Sequence, residues 1–80
     1  MIPMEQIAAR ITDEAIRASN LHKPMNSAHE AYAVILEEVD EFWEEVKKKS
    51  SERSREKMRE ELIQIGAMAL RSLHDLKLCD

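Results

Sequence analysis

Eighty residues contain only one glycine, Gly66, and two prolines, Pro3 and Pro24. The tight turns of a sheet draw heavily on both residue types, so a chain this poor in them is not sheet-rich. Its commonest residues include Ala, Glu, Leu, Lys, Met and Arg, all strong helix formers. The expected class is all-α, in one domain over residues 1–80. A chain this short buries a smaller share of its surface than a larger one. Long apolar stripes on its helices therefore predict an oligomeric helical bundle, a homodimer or a homotetramer.

Ile7, Ile11, Ala15 and Ala18 trace the stripe of a first helix from about Met4 to Ser19. Pro24 disfavours helical geometry at Lys23, which places a break at Asn20–Asn26. Ser27 then offers an N-cap, with Glu30 completing a capping box. From Ala28, residues Ala31, Tyr32, Ile35, Val39, Phe42 and Val46 keep helical spacing for about twenty residues. Lys47-Lys48-Lys49 follows at the negative end of the helix dipole. A third helix is expected from about Glu52 to Lys77, capped by Ser51 or Ser54, with Met58, Leu62, Ile65, Ala69, Ser72 and Leu76 on one face. Gly66 lowers its helix propensity by up to about 1 kcal/mol and suits a close helix contact. The predicted architecture is a short N-terminal helix followed by two long antiparallel helices.

The formal charge is −4, from 16 acidic and 12 basic side chains. Nonspecific nucleic-acid binding normally needs a basic patch, so a nucleic-acid partner is not expected. The single cysteine, Cys79, permits no internal disulfide and fits a reducing compartment. Met1 to Ala9 lacks the pattern of a signal peptide, and every apolar run is far shorter than the roughly 18 residues of a membrane span. A cytoplasmic protein with no membrane partner is the expectation.

Two acidic segments carry the chemistry. Glu38 and Glu41, three apart, lie on neighbouring parts of one face of the second helix. At roughly 100° per residue they fall about 60° and 120° to one side of Ile35. On the third helix, Glu61 and Gln64 fall about 40° and 100° to one side of Ile65. Both pairs thus border a buried stripe. If the two faces meet, their oxygens converge as hard-cation ligands do. The competing reading is that these glutamates are simply solvated. No histidine follows Glu38 or Glu61 three positions on, which disfavours the Glu-x-x-His pairs of di-iron bundles.

Ser27 to Arg71 resembles the MazG-like nucleoside triphosphate pyrophosphohydrolases of the all-α NTP pyrophosphatase superfamily. Their signature is Glu-Glu-x-x-Glu, a variable gap, then Glu-x-x-Asp. Here the first half is Glu37-Glu38-x-x-Glu41, and the second runs from Glu61 to Gln64, an amide in place of the usual Asp. The resemblance implies Mg²⁺-dependent hydrolysis of a nucleoside triphosphate between the α and β phosphates, with Mn²⁺ a possible substitute. Glu38, Glu41 and Glu61 would be metal ligands, with Gln64 in the fourth ligand's place. Glu37 would activate the attacking water or position a further metal. Gln64 brings no charge, so metal affinity should fall. The alternative is a catalytically inactive MazG-like module with an oligomerisation or regulatory role.

Secondary candidates remain open between two readings each. Lys57, one turn before Glu61, either offsets charge on the departing pyrophosphate or belongs to a solvated charged turn. Trp43 either stacks on a nucleotide base or packs in the core or a subunit interface. His22, His29 and His74 have no mutual spacing that makes a zinc site.

Overall fold

The computed structural model describes all of Met1–Asp80. Three helices make up the fold: α1 (Met4–Leu21), α2 (Ala28–Val46) and α3 (Arg55–Asp75), with a 3-10 turn at Ser50–Glu52 between the last two. The all-α expectation holds. The first helix is not short, however. At 18 residues it nearly equals the 19 of α2 and the 21 of α3. It runs past Ser19 because nothing in Asn20 or Leu21 stops it. It ends at His22, whose backbone is extended (φ −126°, ψ 155°) two residues ahead of Pro24.

The helix starts follow the capping logic. Ser27 Oγ accepts the Glu30 N–H at 3.1 Å. The Glu30 carboxylate reaches back to the Asn26 N–H at 2.9 Å, one residue beyond the usual capping-box donor. Ser54, not Ser51, caps α3 by accepting the Lys57 N–H at 3.1 Å. Ser51 and Glu52 are used up in the 3-10 turn, so α3 begins at Arg55 rather than Glu52. At its other end α3 stops at Asp75, short of Lys77. Lys77 takes a left-handed backbone (φ 56°). The Leu78 N–H then returns to the Leu73 carbonyl at 3.0 Å, closing off the helix.

α3 packs against both other helices. Where it meets α1, a Cβ added at Gly66 would stand 3.1 Å from Ile11 Cγ2. The glycine thus permits the close approach that its position in the helix suggested.

Two polar clasps tie α3 to the rest of the chain. Near its start, Glu45 of α2 is only 2% exposed. It accepts the Ser54 N–H at 2.8 Å and Lys48 Nζ at 3.1 Å. The Ser54 backbone donor, aided by Lys48, holds this carboxyl below its ordinary range. Near its end, the buried side chain of Asp75 accepts the Met25 N–H at 2.9 Å. Arg71, also buried, donates to Ser19 Oγ at 3.2 Å and to the Lys23 carbonyl at 3.1 Å. Its guanidinium stands 3.9 Å from Asp75.

The buried apolar side chains are Ala15, Ala18, Met25, Ala31, Ala67 and Met68. Ile11, Val34, Ile35 and Leu76 pack against this core but stay partly exposed. No Leu, Ile, Val or Phe is fully enclosed. The stripe expected to face the core of α3 does so only in part: Ser72 is buried, Met58, Ile65, Ala69 and Leu76 are half-buried, and Leu62 is 50% exposed. Beside it Glu61, Ala67, Met68 and Arg71 are also buried. Periodicity counts apolar residues only, whereas Arg71 is drawn inward by partners on α1 and the α1–α2 connection. On α2, Tyr32, Leu36, Val39 and Trp43 form a second exposed apolar stripe at helical spacing. The molecule measures 42 × 29 × 21 Å, and its thinnest dimension is about two helix diameters. No helix is long and apolar enough to cross a membrane.

Candidate metal centre

Glu38 and Glu41 come from consecutive turns of α2, and Glu61 comes from α3 where the two helices pack. One carboxylate oxygen from each lies within 4.8 Å of the other two. Oxygens on one ion at about 2.1 Å stand at most about 4.2 Å apart, and at about 2.4 Å at most about 4.8 Å. The three oxygens are therefore close enough together to be drawn onto one hard divalent cation.

The three ligand candidates differ in burial. Glu41 is exposed, Glu38 is half-buried and Glu61 is buried. Glu61 Oε2 is enclosed with no hydrogen-bond partner. An isolated carboxylate oxygen out of water is costly unless it is paired, protonated or bound to a cation. Burial, reinforced by the neighbouring Glu41 and Glu38, pushes the Glu61 pKa up to about 7. Burial also raises that of Glu38; Glu61 beside it acts the other way, and the charges of Glu41, Glu37 and Glu14 add to the rise. A divalent cation relieves both the desolvation and the repulsion. Such a donor set, all oxygen and with no sulfur or imidazole, suits a hard ion.

The remaining candidates are placed as follows. Glu37 is exposed and lines, with Glu38, a cavity of about 340 Å³. Gln64 also lines it, but its Nε2 donates to Glu14 Oε2 at 2.7 Å. Lys57 is exposed, and its charge acts on Glu45 of α2. Trp43 is 57% exposed. At roughly 100° per residue it lies about 140° around α2 from Glu38, so the fold of this chain does not bring it to the acidic cluster. The cations that line the cavity are Arg17, Lys23 and Arg71, with His22 beside them.

Sequence reasoning missed Glu14, Glu45, Arg71 and Asp75. The i,i+3 pair Glu14–Arg17 and the i,i+4 pair Arg71–Asp75 are visible as spacings. Nothing local distinguishes them from exposed helix pairs. No family model, curated protein or solved structure matches this chain. The functional reading therefore rests on the geometry of these side chains and on the motif spacing.

Proposed function

We propose that this chain is a divalent-metal-dependent nucleoside triphosphate pyrophosphohydrolase. The observation that carries the reading is the buried, unpartnered Glu61 Oε2 facing two further carboxylates from another helix. A merely solvated acidic surface has no reason to bury one of its members without a donor. The motif spacing, Glu37-Glu38-x-x-Glu41 followed by Glu61, supports the same substrate class.

Glu38, Glu41 and Glu61 would hold the ion, Mg²⁺ by preference and Mn²⁺ as a substitute. A bound divalent ion offsets phosphate charge and makes water more acidic. Water oxygen adds to the α-phosphorus, the α–β bridging P–O bond breaks, and pyrophosphate departs. Glu37, exposed at the cavity beside Glu38, takes the proton of the attacking water. The test is pyrophosphate release from a panel of nucleoside triphosphates with Mg²⁺ or Mn²⁺. If every substrate stays intact at high enzyme and metal concentrations, the hydrolase is ruled out. The second reading, a catalytically inactive helical module, is favoured by Gln64, whose amide carries no charge and is engaged with Glu14. Its signature is no release from any triphosphate, and an absence of saturable Mn²⁺ binding in calorimetry would favour it.

In the same proposal, α2 and α3 run antiparallel within a homodimer that covers the α2 stripe. Tyr32 is 68%, Leu36 39%, Val39 40% and Trp43 57% exposed. A contiguous apolar face of this kind marks an interaction surface, and the small core leaves the protomer short of buried area. The stripe lies on the flank of α2 away from Glu38 and Glu41. Trp43 accordingly belongs to the subunit contact in this arrangement, not to base stacking. Val39→Glu should convert the dimer to a monomer in light scattering coupled to size exclusion. An unchanged mass for this variant, or a monomeric wild type, removes the dimer from the proposal.

A further inference from the structure

The second motif ends in an amide, and the structure shows what that amide is attached to. Gln64 Nε2 donates to Glu14 Oε2 at 2.7 Å across the α1–α3 contact. An ionised carboxylate only accepts, so the amide nitrogen must face Glu14, which leaves Gln64 Oε1 as the free acceptor. Glu14 itself is clamped by Arg17, whose Nε and Nη2 reach its two oxygens at 2.9 and 2.6 Å. The Glu14 side chain is 16% exposed against 59% for Arg17. The carboxylate thus faces inward while the guanidinium lies in solvent. Glu14, Gln64, Glu37 and Glu38 line one cavity.

We propose that Glu14 is a positioning residue of the metal centre, which makes the neutral Gln64 a competent oxygen ligand. The inference rests on the metal reading above. Its support beyond the carboxylates themselves is the buried Glu61 Oε2, which has no donor and which a cation at this site would satisfy. A carboxylate accepting from an amide N–H₂ polarises that amide and makes its carbonyl oxygen a better donor to a cation. Carboxylates behind histidine ligands act in the same way, fixing orientation and raising basicity. Arg17, Glu14 and Gln64 form such a relay from α1 to α3. A directly ligating Asp at position 64 would not need it, so the relay should matter only while residue 64 is an amide.

Mn²⁺ titration by calorimetry tests this in a double-mutant cycle on the full chain. Thermal melts without metal verify that each variant is folded. Glu14→Leu should weaken Mn²⁺ binding about tenfold, as loss of a ligand-orienting partner generally does. In the Gln64→Asp background the same replacement should leave affinity unchanged or improve it, because two carboxylates no longer face each other. An equal loss in both backgrounds would reduce Glu14 to a remote charge and overturn the proposal. So would wild-type affinity in Glu14→Leu alone. A wild type with no saturable Mn²⁺ binding instead removes the metal reading itself, so the two failures are distinguishable.

Discussion

Glu61→Gln should abolish saturable Mn²⁺ binding and, in the same protein, raise the melting temperature of the metal-free chain. Most ligand substitutions do only the first. The second follows from the enclosed Oε2, which the wild type leaves without a donor. The Glu61 carboxyl rises from an ordinary 4.5 to about 7 on folding, which at about 1.4 kcal/mol per unit penalises the ionised folded chain by up to about 3 kcal/mol. An amide of the same shape carries no such penalty and can donate to Glu38 or Glu41. For a domain of this size the gain at pH 8 amounts to roughly 10 °C.

The pH dependence has a definite sign. Between 4.5 and about 7 the folded state binds more protons at Glu61 than the unfolded state does. Stability of the metal-free wild type should therefore fall as pH rises through this window and level off above it. Glu14, Glu45 and Asp75 are shifted down, so their contributions are lost only in more acidic solution. Glu61→Gln should flatten the decline near neutrality and lose its advantage at pH 5. Saturating Mn²⁺ should stabilise the wild type by mass action and leave the variant unmoved. Thermal melts from pH 5 to 8, with and without Mn²⁺, decide the matter. A variant that melts like the wild type at pH 8 would show that Glu61 is not under strain.

Arg71→Leu should destabilise the chain by about 3 kcal/mol, because breaking a buried ion pair strands the remaining charge. The guanidinium faces Asp75 at 3.9 Å and supplies donors to Ser19 Oγ and the Lys23 carbonyl. Asp75 would stay enclosed with only the Met25 N–H and the exposed His74 ring as partners. The expected drop in melting temperature is roughly 10–20 °C. Adding Asp75→Leu should recover part of it, since both charges then leave together. Urea denaturation of the two single variants and the double variant measures the coupling. A loss under about 0.5 kcal/mol in Arg71→Leu, the range of ordinary surface changes, would show that the pair does not support the fold.

Local chemistry in the sequence reached quite far into this structure. Pro24 and Ser27 mark the first break and the second start, because each acts on the backbone next to it. Glu38, Glu41 and Glu61 were legible as a group because their offsets from the apolar stripes survive folding. The inward face of α3 was legible only in part. Buried Arg71 is held by a carbonyl 48 positions earlier in the chain, and half-buried Gln64 by a carboxylate 50 positions earlier. No window along one helix contains those partners. Glu44 and Glu45 look alike in sequence. Only the return of Ser54 toward α2 makes the second a buried acceptor while the first stays in water.

The clasps at Glu45 and Asp75 do more than add stability. Sliding α3 by a single turn would carry Glu61 about 5.4 Å along its axis, further than the 4.8 Å within which the three oxygens lie. Pinned at both ends, the helix acts as a ruler whose graduation falls opposite Glu38 and Glu41. Fraying of either terminus alone leaves that mark in place.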